Sequence, residues 1–368
     1  MTNVHDYRNV LDASRLPPEG RLTMPAEWAP RRATWLGWPC NRETWPDAIR
    51  PFAESAYRRY IEILSAGEDV EILAGSPGVR ARVEARIAGI ADRERVHLHD
   101  IPIDDSWVRD SGPIFVRDAE TGRNAVVDWD FNKWGGKYPP WDKDDLVPTR
   151  VAESRGMDRW VPGMVLEGGS LCVDGEGTLL TTAQCLLNEN RNPWLSREGI
   201  ETRLSRFLGA RKVVWLGRGI AGDDTDGHVD DIARFLAPGL VCAAVEDDPA
   251  DENHVQLQDN FRQLRRERDA SGRRFEVVPL PMPRPVVQLG LRTPASYCNF
   301  LLCARGIVLP VFGDRRDELA IRRLESATGR SVFPVDCREI IYGQGSLHCL
   351  SQQEPRAAIE AGALGAAT

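Results

Sequence analysis

No hydrophobic run in this 368-residue chain is long enough to cross a bilayer. The longest, LVCAAV after Gly239 and IVLPVF after Gly306, reach about a third of the roughly 20 residues that a spanning helix needs. The N-terminus also lacks a basic-then-apolar signal pattern. These absences predict a cytoplasmic protein with no membrane partner. No two of the eight cysteines form a CxxC pair and no short spacing repeats, which argues against a disulfide framework and against a structural zinc site. Most are expected to be reduced thiols in the core. Positive charge is in deficit as well. A formal net charge of −8 disfavours nucleic acid as a partner and suits attraction of a small cation. No linker or low-complexity stretch divides the chain, so residues 1–368 read as one catalytic domain. With 42% hydrophobic residues, such a domain can bury its own core. Whether it forms a homo-oligomer is left open by these features.

What the chain does contain is a recurring pattern. Four stretches read as β-hairpins, each with two apolar runs around a short turn containing Gly: PIFVRD-AETGR-NAVVDWDF, SLCVD-GEG-TLLTTAQCLL, ARFLA-PG-LVCAAV and FLLCA-RG-IVLPVF. Helical periodicity follows in SREGIETRLSRFLG, NHVQLQDNFRQLRRERDASG and GDRRDELAIRRLESATG, with DAIRPFAESAYRRYIEILSAG near the start. Each helix leads into a further strand: EDVEILAG, RKVVWLG, RRFEVVPL and SVFPVDC. The order strand, strand, helix, strand thus recurs at roughly 55 to 65 residues, a spacing typical of repeat architectures. A fifth copy closes only by joining RATWLGWP near the start to GSLHCLSQ near the end. The expected fold is therefore α/β: a five-bladed αβ propeller of ββαβ repeats, with loop ends collected at its axis. Two doubly wound α/β domains fit less well, because hairpins are so frequent.

Polar residues gather just ahead of the hairpins, where a ring would aim them at the axis. The segments are MPAEWAPRRATWLGWP from Met24, DDSWVRDSGP from Asp104, LEGG from Leu166, GDDTDGHVDD from Gly222, and GQGSLHC ending at Cys349. Cys349 follows His348 in a Gly-rich stretch where backbone can approach a substrate. A buried strand cysteine is the plainer reading; a base and several carboxylates elsewhere in the chain favour a nucleophile. His228 and Asp230 stand two apart, and on a strand both would point to one face. The acids around them, Asp223, Asp224, Asp226, Asp230 and Asp231, could instead hold magnesium or calcium. Their spacing does not match the calcium-binding loop, and a single neighbouring His does not suit zinc. Trp107 and Asp110 read either as parts of a capped turn or as an aromatic wall beside a carboxylate that suits an alkylguanidinium.

A guanidinium substrate makes chemical sense of this set. Asp110 and Asp230 can each take a two-pronged grip on the planar cation, fixing its central carbon. Cys349 thiolate would attack that carbon, and His228 would protonate the departing ammonia and later deprotonate the hydrolytic water. Two carboxylates raise a neighbouring thiol's pKa. A unit cation about 4 Å from the thiolate offsets this by about 4 kcal/mol at an effective dielectric near 20, roughly three pKa units. The thiol is therefore expected to be activated by imidazolium and bound substrate together.

MPAEWAPRRATWLGWP, DDSWVRDSGP, LEGGSLCVDGEGTLLTT, NENRNP, GDDTDGHVDD, ASYCNF, DCREIIYGQGSLHC and SQQEP together resemble the agmatine deiminase family, which includes bacterial peptidylarginine deiminases. The resemblance runs from near residue 24 to near 355, in family order. It implies a five-bladed αβ propeller and hydrolysis of agmatine to N-carbamoylputrescine and ammonia through a Cys-amidino (thiouronium) intermediate. It further implies a place in putrescine and polyamine synthesis, with neither cofactor nor metal. By position it implies Cys349 as nucleophile, His228 as general acid and base, and Asp110 and Asp230 as guanidinium carboxylates. It also implies Asp224, Trp107 and Asn299 as substrate-binding residues. Family members often carry Asn at positions 226, 231 and 346 and His at 172, where this chain has Asp226, Asp231, Ser346 and Cys172. Other readings are deimination of a different guanidine, amidino transfer to an amine, a catalytically silent cation binder and a metal-dependent hydrolase.

Overall fold

The computed structural model describes residues 16–357. Residues 1–15 and 358–368 of the expected single domain lie outside the described residues. In each unit an antiparallel strand pair is followed by a helix and then a strand parallel to the second. The first unit pairs Ile114–Asp118 with Asn124–Val127, then uses helix Val147–Arg155 and strand Arg159–Trp160. The second has Cys172–Val173, Thr178–Thr182, helix Arg197–Leu208 and Lys212–Leu216. The third has Ala233–Ala237, Leu240–Val245, helix His254–Arg266 and Glu276–Pro281. The fourth has Leu301–Cys303, Gly306–Val311, helix Asp317–Thr328 and Val332–Asp336.

The fifth unit joins the two ends of the chain. Strand Ser351–Pro355 pairs antiparallel with Arg31–Gly37, which continues through helix Arg50–Ser65 to the parallel strand Asp69–Leu73. The ring is a five-bladed αβ propeller, as the repeat predicts. Its closing strand starts later than expected, at Ser351, so Gly345–Leu350 forms the turn that leads into the ring rather than part of the sheet.

Local chemistry explains the elements. In the fifth unit's helix the spacing of Ala53, Tyr57, Tyr60, Ile61 and Leu64 puts them on one face, and all are buried. Each large one contributes about 1.5–3 kcal/mol by leaving water. Helix Arg197–Leu208 is capped by Ser196, which accepts the Gly199 N–H at 3.2 Å, and ends at Gly209 in the left-handed region, φ 74°. The third unit's helix stops at Arg266, short of the expected stretch. Asp269 there accepts the backbone N–H groups of Ser271 and Arg273 at 2.8 and 2.9 Å and turns the chain. Helix Val147–Arg155 has no counterpart in the predicted elements, because nine residues give too few turns for periodicity to declare itself. Among the described residues no helix is long and apolar enough to cross a membrane.

The largest apolar cluster runs from Tyr57 and Tyr60 through Val241 and Val308 to Cys349; a second, around Leu179, Leu204 and Trp215, joins the first two units. The loop entering each hairpin carries one of Asp110, Glu167, His228, Asn299 or Cys349, so the ring delivers five chemical groups to one end of its axis.

Candidate active site

Cys349 lines a cavity of about 700 Å³ together with Trp107, Asp110, Trp134, Tyr138 and Asp224. The sulfur is buried, and it accepts a hydrogen bond from Asn299 Nδ2 at 3.0 Å. Asp230 Oδ2 stands 3.7 Å away as the thiol's acceptor. Burial, then Asp230, Asp231 and Asp110, push the Cys349 thiol well above its ordinary pKa, against the Asn299 bond.

Asp110 is held at both oxygens. Oδ1 accepts the Gly169 N–H at 2.9 Å and Oδ2 accepts Trp134 Nε1–H at 3.0 Å. Gly169 is required by this approach: a Cβ there would lie 2.5 Å from His228 Nδ1 and 2.7 Å from Asp110 Oδ1. Burial, with Asp230 and Glu167 adding repulsion, raises Asp110 to about 6 against the pull of His228 and Trp134.

His228 is fully buried, with Nδ1 3.6 Å from Asp110 Oδ1 and neither ring nitrogen in a hydrogen bond. Burial favours its neutral form, but Asp110, Cys185 and Asp230 outweigh it, so the ring's pKa is raised well above the ordinary value. The strand expected at His228 and Asp230 is instead a 3₁₀ turn over Val229–Asp231, with the strand starting at Ala233. Asp223 makes the turn by accepting the N–H groups of Gly227 and His228 at 3.0 and 3.1 Å. Asp230 is buried, yet its pKa is lowered: burial is outweighed by its bond to His348, then by the charges of His348, His228 and Arg234.

Trp107 lines the cavity and stacks on Trp45 with ring centroids 5.7 Å apart. Asp224 also lines the cavity and accepts a hydrogen bond from the Tyr138 hydroxyl. Like His228 and Asp230, Asn299 is not among the lining residues. Its amide instead grips Asp231 Oδ1 at 3.0 Å, the Cys349 sulfur, and, through Oδ1, the Ser346 hydroxyl at 2.9 Å. Arg109 is buried away from the cavity, donating to His348 O and Gln353 Oε1 at 3.3 and 2.8 Å.

Residues 23–355 match the sequence model of the Porphyromonas-type peptidyl-arginine deiminase family. The chain belongs to that family. Among relatives of this deiminase family, the agmatine deiminase of Stutzerimonas stutzeri is 41% identical, the match covering 92% of this chain and 97% of that protein. The solved agmatine deiminase of Enterococcus faecalis superposes with TM-score 0.86 at 34% identity, covering 92% of this chain and 97% of the other. An amidinotransferase from Microseira wollei, at 12% identity and TM-score 0.52, shares the fold alone.

Within this family member, the structure adds residues that the sequence reading did not single out. Glu167, in LEGG, accepts Arg191 Nε–H at 2.6 Å through Oε1 and leaves Oε2 unpartnered. Glu167, Cys185 and His228 each bring a donor atom within 4.8 Å of the others, a spacing that could suggest a metal site. The set is poorly matched to a cation: Arg191 already offsets the charge of Glu167, and the raised pKa of His228 favours a ring whose nitrogens carry protons rather than lone pairs. Trp134 and His348 gave no signal in sequence, since each acts through a partner distant in the chain.

The four departures from the family pattern all face the framework rather than the cavity. Asp226, at φ 66°, takes Lys137 Nζ, Asn190 Nδ2 and Arg191 Nη1 at 2.9, 3.0 and 2.7 Å. Asp231 and Ser346 bind Asn299, and Cys172 sulfur accepts the Phe235 N–H at 3.2 Å.

The raised thiol pKa has a measurable sign. A neutral haloacetamide should inactivate the free protein slowly at neutral pH, faster by about tenfold per pH unit on the way to pH 9 and beyond. A cationic haloacetamidine of similar size, which brings its own charge, should react faster at neutral pH. Inflection of the haloacetamide rate near pH 7 or below would contradict the assignment.

Proposed function

We propose that the protein is a cytoplasmic, cofactor-free agmatine deiminase in which one catalytic domain releases ammonia and leaves N-carbamoylputrescine, a route toward putrescine and polyamines. The observation that carries this reading is a cavity lined by the Cys349 thiol and by the carboxylates of Asp104, Asp105, Asp110 and Asp224, in which the buried cation among the described residues, Lys133, is already paired and the other, Arg42, lies out in solvent. Of its basic lining residues, Lys133 is bound to Asp144 at 3.0 Å, and exposed Arg42 lies 3.8 Å from Asp47. A ligand positive at both ends fits such a wall; one ending in carboxylate is repelled.

The chemistry follows from the geometry. The guanidinium enters between Asp110 and Asp230, and its charge lowers the thiol's pKa. The thiol proton leaves toward Asp230 Oδ2, the acceptor at 3.7 Å. Sulfur then bonds to the guanidine carbon, giving a tetrahedral adduct. His228 donates its proton to the departing nitrogen, the C–N bond breaks and ammonia leaves. The thiouronium is next attacked by a water that gives its proton to His228. Collapse of that second adduct breaks the C–S bond as its hydroxyl proton passes to solvent; Asp230 returns its proton to the sulfur, restoring the thiol, and the ureido product leaves. Trp107 supports the alkyl chain, and Asp224 faces the far ammonium.

Ammonia release should be measured with agmatine, free arginine and a peptide ending in arginine side by side. Agmatine is expected to exceed arginine by about 100-fold in kcat/KM, because the α-carboxylate meets acids instead of a partner. Asp224→Asn should raise KM for agmatine about tenfold with a smaller change in kcat, as loss of a charge-assisted contact remote from the reacting carbon. Release from the peptide alone would keep the mechanism and replace the substrate; silence with all three would favour a binder.

A further inference from the structure

One buried side chain touches the catalytic groups without taking part in the scheme above. The His348 ring has Nδ1 2.6 Å from Asp230 Oδ2 and Nε2 3.0 Å from Glu27 Oε2. Glu27, from the segment before strand Arg31–Gly37, is itself fixed. Its Oε1 accepts the Leu302 N–H at 2.7 Å, and its Oε2 is paired with Arg234. The His348 backbone is tied down too, with its N–H 3.1 Å from Asn299 Oδ1 and its carbonyl accepting from Arg109 Nε at 3.3 Å. Two carboxylates and the guanidinium groups of Arg109 and Arg234 surround the ring; burial, then Arg109 and Arg234, lower its pKa against the pull of Glu27 and Asp230.

The consequence falls on Asp230. Its Oδ2 is engaged by the ring, while Oδ1 is buried with no hydrogen-bond partner. The terminal torsion of a carboxylate is broad and roughly two-fold, so an unheld Asp230 would present either oxygen at a range of angles. A held one meets the substrate already oriented, and the cost of ordering it is not charged to binding.

We propose that His348 is a positioning residue: anchored by Glu27, its imidazole holds Asp230 by Oδ2 and so turns Oδ1 to the substrate guanidinium. This rests on the deiminase reading of Asp230, and a matched pair of variants tests it. In His348→Asn the amide nitrogen stands near the Nδ1 position, keeping the bond to Asp230 and losing Glu27. In His348→Gln it stands near the Nε2 position, keeping Glu27 and losing Asp230.

With agmatine binding measured by calorimetry in a Cys349→Ala background, Kd should rise about 10- to 100-fold in His348→Gln and no more than about threefold in His348→Asn. In the protein with Cys349 intact, kcat/KM should follow the same order. A purely structural role would make the two alike, since both remove the same ring. Equal losses, or an unimpaired His348→Gln, therefore overturn the proposal. Parent protein that neither binds nor hydrolyses agmatine would instead sink the deiminase reading, and the clamp with it.

Discussion

Replacing Cys349 by alanine should cut ammonia release by about 10⁴-fold or more while agmatine still binds, because the variant removes the bond-forming atom and leaves the carboxylate grip in place. The structure supports that separation. Asp110 is held by Gly169 and Trp134, and Asp230 by His348, none of which depends on the sulfur. Burial and the charges of Asp230, Asp231 and Asp110 favour the neutral thiol, so its removal takes no charge from the free site and Kd should change little. Calorimetry and a coupled ammonia assay on one preparation read both quantities. Turnover surviving near the parent rate would place the nucleophile elsewhere, and loss of binding together with turnover would make Cys349 a packing residue.

The second large effect is expected at His228. In His228→Asn, kcat should fall about 10³-fold with KM changed little, since general acid and base catalysis contributes in that range and the ring acts on the leaving nitrogen and on water. Asp110, Cys185 and Asp230 outweigh burial and raise the ring's pKa, favouring its protonated form. The sign of the pH dependence follows: as pH rises through the raised pKa the acid form is lost, so this group contributes a falling alkaline limb to the rate. That limb should vanish from the residual activity of His228→Asn. A residual profile with the same alkaline limb would assign the proton to another group. Asp110 and Glu167 would then be the next residues to vary, being the carboxylates that flank the ring.

Much of the architecture was legible because strand and helix periods are local. Hairpin turns at GEG, PG and RG and apolar runs such as LVCAAV gave the units, and the fivefold count followed from their spacing. The missed helix Val147–Arg155 and the 3₁₀ turn at Val229–Asp231 are short elements, set by Pro148 in a first turn and by the Asp223 side chain rather than by periodicity. Within the site, Cys349, His228, Asp110, Asp230, Trp107 and Asp224 were named from sequence, and the fold brings them together around or behind one cavity. Asn299 was named as a substrate-binding residue; it bonds the Cys349 sulfur and Ser346 and, like His228 and Asp230, does not itself line the cavity.

The sequence by itself determined the repeat, the reactive residue types and the order in which they enter the ring, because these depend on neighbours a few positions apart. Only the tertiary structure decided which carboxylate oxygen is engaged and which is unpartnered, that Arg109 turns away from the cavity, and that Asp226 serves the framework. Those outcomes depend on partners far apart in the chain, as in Trp134 with Asp110, Arg191 with Glu167, and Glu27 with His348. A hydrogen bond is decided at the scale of tenths of an ångström, and no local pattern carries that information across a closed ring.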